Sequence, residues 1–261
     1  MNEPAYTEIV PELLHPTPAE AEGSTPDLPA RALGPIGVVE LLLKHPRQLN
    51  LLLRDESRQR ELVPSLLAVA IFGLAAHGVV LTAIVNALHA TNGFWMAHLP
   101  ASYWNKRSVA NLTLGYAIGA IAANGICLPS FYFYGLLAGV RISMLGVAAH
   151  ALKGLAAGAV MLVGLLPIYV ALALSAIVFP FDPVWARFVV IAGLALPCLA
   201  GIAGALNLYE GFVGLADTMS PSHSASRGCF LRRLTLAWVS CATFVTPVVI
   251  YSLWHLLADW T

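Results

Sequence analysis

Charge is scarce in this chain. Only 11% of its 261 residues are charged and 58% are hydrophobic, whereas a soluble globular domain carries roughly 25% charged and about 45–50% apolar residues. That shortage excludes a cytosolic enzyme, a secreted disulfide scaffold and a disordered regulator. Net charge is missing as well. Fourteen Lys and Arg balance fourteen Asp and Glu, so no nucleic-acid partner is expected. Cysteine is sparse: Cys127, Cys198, Cys229 and Cys241 show no paired spacing, which predicts neither a disulfide framework nor a zinc site. Three of them lie in apolar stretches, where cysteine behaves as a small hydrophobe, and Cys229 falls in a polar loop expected to stay reduced. HExxH, GxSxG and phosphate-binding glycine loops are all lacking, so no catalytic residue is assigned and a non-enzymatic protein is expected. Acidic residues are absent between Glu61 and Asp182. Three of the spans assigned below therefore lack the mid-depth carboxylate that proton-driven pumps use.

What is present is a set of long runs without charge, at 62–105, 108–140, 154–181, 188–209 and 234–258. A spanning helix needs about 20 apolar residues, because the hydrocarbon core is roughly 30 Å thick and each residue rises about 1.5 Å. A segment in lipid must also satisfy its own backbone groups, which selects helices. The runs predict an all-α, polytopic helix bundle with five transmembrane helices near 63–88, 108–138, 144–178, 184–208 and 234–257. Pro129, Pro167, Pro197 and Pro247 fall inside helices two to five. Proline removes a backbone donor, so each of these helices is expected to be interrupted.

Three regions follow along the chain. Residues 1–35 hold seven prolines and six acids against the single base Arg31, a composition that predicts a disordered acidic tail. Residues 36–62 carry Val38, Leu41, Leu42, Leu49, Leu52 and Leu53 at near-helical spacing, interleaved with Glu40, Lys44, Arg47, Asn50 and Arg54. They read as amphipathic juxtamembrane helices divided at Pro46, lying on the membrane surface or beneath the bundle. Residues 63–261 form the transmembrane domain.

Orientation follows from the bases. With the N-terminus inside, eleven of fourteen Lys and Arg lie on the cytoplasmic side, and Lys106, Arg107 and Arg187 lie outside. Cytoplasmic loops accumulate such residues. Trp95, Trp104, Trp185, Trp254 and Trp260 all map to the outer interface, and Trp238 to the inner one, matching the interfacial preference of indole. The first 35 residues have no apolar core, so no cleavable leader is expected. The sequence thus predicts a multi-pass inner-membrane protein with a cytoplasmic N-terminus and an external C-terminus.

Polar residues inside the spans are candidate functional groups. His77, Asn124, Tyr132, Arg141 and His150 form the candidate intramembrane site. Two axial histidines can hold a haem, but His77 and His150 fall at unequal depths, so no cofactor or metal is assigned. For His77 a hydrogen bond to a neighbouring helix is expected, and likewise for Asn86, Asn111, Asn124 and Asn207. Glu210 and Asp217, at the inner end of helix four, are expected to face water or pair with Arg141 or Lys153. Phe131, Tyr132, Phe133 and Tyr134 are expected to pack and anchor in the inner leaflet. Three GxxxG pairs, Gly115/Gly119, Gly135/Gly139 and Gly154/Gly158, clear helix faces for close approach within the bundle or between two copies.

The layout resembles the Yip family of five-span membrane proteins, including its bacterial relatives. The segments that carry the resemblance are Leu128-Pro129-Ser130 leading into Gly135-Leu136-Leu137-Ala138-Gly139, and Leu165-Leu166-Pro167. It covers about 36–257 and implies a proline-containing soluble region followed by five spans. It transfers no functional residue. The expected function is that of a scaffold or accessory subunit of a membrane complex, in contact with the bilayer and with other membrane proteins or a second copy. The alternative is a small permease or transporter subunit with proline-broken helices.

Overall fold

The computed structural model describes residues 34–92, 106–137, 143–179, 183–216 and 224–259. Among these there are seven helices and no strands: α1 (Pro35–Lys44), α2 (Pro46–Leu52), α3 (Glu56–Asn92), α4 (Lys106–Leu137), α5 (Met144–Val178), α6 (Pro183–Ala216) and α7 (Ser224–Asp259). Each of α3 to α7 contains a segment long and apolar enough to cross a membrane. The chain is a multi-pass integral membrane protein built as an all-α bundle. Of the expected tail at 1–35, residues 1–33 lie outside the described residues, as does Arg141, while Pro35 already belongs to α1.

Local chemistry sets the helix boundaries. Pro35 and Pro46 each open a helix, a position where the missing N–H costs nothing. Asp55 then caps α3: its Oδ1 accepts from the Ser57 backbone N–H at 2.9 Å and the Ser57 hydroxyl at 2.7 Å. The first long helix therefore starts at Glu56, seven residues before the expected span. Ser143 caps α5, its Oγ accepting from the Gly146 N–H at 3.1 Å.

The expected interruptions at proline do not occur. Pro129, Pro167, Pro197 and Pro247 all lie inside unbroken helices, and so does Pro64 in α3. A proline forfeits one rung of the backbone ladder. In lipid the remaining rungs have no water to compete with them, so the helix carries through.

The bundle has a hub and a periphery. Helix α5 packs between α3 and α6, while α4 joins α3 to α7. Over its most apolar stretch α3 is 56% buried in the bundle and α7 only 6%, so α7 is the most lipid-facing span. Lipid tails are as apolar as leucine, so close packing rather than burial from water holds such helices together. The α5–α6 contact is made of small residues accordingly. A Cβ added to Gly154 would stand 2.9 Å from the Gly204 carbonyl oxygen, and one on Gly158 would stand 3.0 Å from that of Ala200. The Gly154/Gly158 pair thus serves packing inside the chain. Gly119 does the same between α4 and α7, against Ile250. Gly135 has nothing within 4 Å of an added Cβ, and Gly139 lies outside the described residues.

Helices α1 and α2 dock at the end of the bundle where α3 and α5 begin. Val38, Leu41, Leu42, Leu49, Leu52 and Leu53 are all buried, packed on Leu62, Leu66 and Val69 of α3 and Ala149 and Ala156 of α5. The apolar face read from the spacing is the face that packs. Their outer surface carries Ile36, Leu43 and Leu51, which are 87%, 68% and 58% exposed, and the exposed ion pair Glu40–Lys44 at 2.8 Å. That pair holds the Glu40 carboxyl below its usual range and the Lys44 ammonium above its own, chiefly through the hydrogen bond between them.

Candidate functional site

The deepest polar group at this end of the bundle is Lys153, the tenth residue of α5, with no exposed surface. Its ammonium donates to Asn50 Oδ1 of α2 at 2.7 Å and to the Asn207 backbone carbonyl of α6 at 3.2 Å. One cation thereby ties three helices, one of them outside the spans. Lysine suits the task because its four-carbon stem stays among apolar neighbours while the head reaches polar atoms. Glu210 of α6 is near enough to act on Lys153 electrostatically. It is exposed and forms no ion pair with Lys153; of the two expected states for Glu210, exposure or pairing, the exposed one fits. Asp217 lies outside the described residues.

His150, one turn before Lys153, is buried beside the same group. A Cβ on Gly211 would stand 2.8 Å from His150 Nδ1 and 3.6 Å from Asn50 Oδ1. Arg54 is within electrostatic reach of this histidine. Gly211 therefore leaves the room in which α2, α5 and α6 bring a lysine, a histidine and an asparagine together. Gln59 closes the platform on its other side, donating through Nε2 to the Leu53 carbonyl at 2.7 Å.

A second polar cluster lies deeper in the bundle. His77 of α3 is fully buried and meets Tyr116 of α4 edge to face, with ring centroids 5.3 Å apart. Its polar contact with another helix is to the Gly193 backbone of α6, short of full hydrogen-bond geometry. The hydroxyl of Tyr169, on α5, packs on Gly193 so closely that a Cβ there would collide with it. That hydroxyl, the Thr113 hydroxyl and both His77 nitrogens have no hydrogen-bond partner. Buried polar atoms in this condition cost about 1–3 kcal/mol each, and here they concentrate on three spans, α3, α4 and α5.

Of the residues singled out in the sequence, His77 and His150 do not converge. Gly193 and Gly211, which mark the His77 and His150 clusters, are 18 positions apart on α6, about 27 Å along a helix axis. Asn124 turns back on its own helix, its Nδ2 donating to the Ala120 carbonyl at 2.8 Å. Asn207 likewise donates to the Ala203 carbonyl at 3.2 Å. The expectation of interhelical asparagine bonds is corrected for these two, because an i−4 carbonyl is always within reach. Tyr132 is half-buried, packed at the edge of the cluster of Phe131, Val147 and Leu208. Its neighbour Phe131 is buried against Trp238, with centroids 5.2 Å apart, while Phe133 and Tyr134 are exposed. Arg141 lies outside the described residues.

Lys153, Asn50, Tyr116 and Tyr169 were not among the candidates. Lys153 falls inside the expected third span, but it counts there with the cytoplasmic bases rather than as a buried group. The available signal was its depth: Ser143 caps the helix ten residues earlier, so Lys153 stands about three turns inside it. Among the described residues no group of three His, Cys, Asp or Glu side chains is placed to hold a metal ion. No known protein family, curated protein or solved structure matches the chain.

Proposed function

We propose that this integral membrane protein is a non-enzymatic scaffold or accessory subunit of a membrane complex, with α1 and α2 as its docking platform. One observation carries the reading. The platform is fixed to the spans by an apolar core and by the buried Lys153–Asn50 bond, yet its opposite side leaves Ile36, Leu43 and Leu51 uncovered by the other described residues. Rigid fixation of a partly apolar surface at the mouth of a bundle suits recognition by another protein better than it suits conduction. The excess of bases on this side argues for a cytoplasmic platform and an inner-membrane location. The five-span layout behind soluble N-terminal helices is also what the Yip-like resemblance implies. A photo-cross-linking residue at Leu43, in native membranes, tests the role. A single adduct of defined mass, lost when Leu51→Asp spoils the surface, is expected. Equal labelling of many proteins, unaffected by that change, contradicts it.

The permease reading is favoured by a different observation, the unpartnered polar atoms of His77, Thr113 and Tyr169 within the bundle. It predicts selective solute flux in proteoliposomes that His77→Phe abolishes. Flux that does not exceed that of empty vesicles for each class of small solute removes it.

A further inference from the structure

The seam between α4 and α7 is antiparallel, and it holds a pair of thiols. Near one end Gly119 meets Ile250, whose Cγ1 would stand 2.7 Å from a Cβ on the glycine. Further along, Phe131 packs on Trp238. Between these contacts Cys127 of α4 and Cys241 of α7 bring their sulfurs to 3.9 Å. The Cys127 carbonyl is held from both helices, accepting from Trp238 Nε1 at 3.3 Å and from Ser130 Oγ at 2.7 Å. The pair is therefore fixed by neighbours on either side rather than met by chance along a loose contact.

The two thiols differ in access. Cys127 is buried and Cys241 is exposed. Both belong to membrane-spanning segments. The exposed side of α7 also carries Leu236, Phe244 and Val248, so the medium that reaches Cys241 is the acyl-chain region. A reagent dissolved there meets Cys241 first and Cys127 second. The order matches a reactive thiol with a resolving thiol behind it.

We propose that Cys127 and Cys241 form a dithiol within the bilayer that reduces a lipid hydroperoxide and closes into a disulfide joining α7 to α4. The Cys241 sulfur attacks the terminal oxygen of the hydroperoxide. The O–O bond breaks, the thiol proton passes to the departing oxygen, and a lipid alcohol leaves. Cys241 is then a sulfenic acid. The Cys127 sulfur attacks it, its proton leaves with the hydroxyl as water, and the S–S bond forms. Two thiols are oxidised for one hydroperoxide reduced. The sulfurs must approach from 3.9 Å to about 2.05 Å, a movement that side-chain rotation and a slight shift of the peripheral α7 can supply.

The experiment uses the full chain in phosphatidylcholine nanodiscs, treated with cumene hydroperoxide, and counts free thiols by maleimide mass tags after denaturation. The wild type should fall from four tags to two, reversibly with dithiothreitol, releasing one cumyl alcohol per pair lost. Cys198→Ser combined with Cys229→Ser keeps the proposed pair and should fall from two tags to none. Cys127→Ser should form no bridge, and its Cys241 should be captured by dimedone as the sulfenic acid. Retention of all four thiols, bridge formation that survives Cys127→Ser, or oxidation appearing only as cross-linked dimers overturns the proposal. The serine-free pair in the double variant keeps the test decisive even where Cys127→Ser fails to fold.

Discussion

Lys153 concentrates the residue-scale physics of this protein. Its ammonium is removed from water and has two neutral acceptors, Asn50 Oδ1 and the Asn207 carbonyl. Hydrogen bonds to a charged group contribute about 1.5–3 kcal/mol. In a double-mutant cycle of Lys153→Met and Asn50→Leu, each single change should destabilise the protein, and the pair should couple by about 1.5–3 kcal/mol. Thermal unfolding in detergent measures this; purely additive effects contradict the assigned bond. Glycine supplies a second test. Gly204 stands where a Cβ would meet the Gly154 carbonyl oxygen at 2.5 Å, while Gly201, on the same helix, has nothing within 4 Å. Overpacking typically costs about 1–3 kcal/mol, so Gly204→Leu should lower the unfolding temperature and Gly201→Leu should leave it nearly unchanged. Equal effects would mean that α5 and α6 do not meet along this face. The six apolar residues of the platform were legible from spacing alone, because a helix in water has to bury one face. Lys153 was legible as a residue of the third span but not as a buried one, because a lysine near a helix end reads as a cytoplasmic charge and spacing does not show that Asn50 and the Asn207 carbonyl wait for it.

Among elements, the start of α3 links the platform to the spans. The Asp55 carboxyl is held below the usual carboxylate range, first by the Ser57 hydroxyl and then by the Ser57 N–H. A group whose folded value is lowered stabilises the fold above its ordinary value and loses that contribution as pH falls through the lowered one. Hydrogen exchange across 56–61 should therefore accelerate as the pH drops below the usual carboxylate range, after correction for intrinsic rates. Asp55→Asn keeps a capping side chain without titrating, so it should flatten this dependence. A profile identical in both proteins contradicts the cap. At this scale the apolar runs placed five long helices, and α5 coincides with its expected limits of 144 and 178. Two things escaped them. The continuation of α3 back to Glu56 depends on one aspartate–serine turn, and continuity through Pro64, Pro129, Pro167, Pro197 and Pro247 depends on a solvent the sequence does not display. Proline propensities reflect chains in water, where a freed carbonyl finds a partner outside the helix; lipid offers none.

The whole molecule is a hub of α3, α5 and α6, with a platform at one end and α7 at the rim. Its two polar clusters occupy different levels of the bundle, one joining the platform to the spans and one buried between spans. The separation of His77 from His150 was legible as unequal depth, whereas the turn of Asn124 back onto its own helix was not, because sequence does not give the direction in which a side chain faces. All of these assignments depend on five passages through the bilayer, with α1 and α2 on the cytoplasmic face. The most direct measurement places a short epitope at each terminus and probes spheroplasts with protease before and after permeabilisation. The expected result is a C-terminal tag cleaved from outside in intact spheroplasts and an N-terminal tag cleaved only after permeabilisation. Cleavage of both tags in intact spheroplasts, or of neither, contradicts the five-pass arrangement, and the reverse pattern contradicts the cytoplasmic platform.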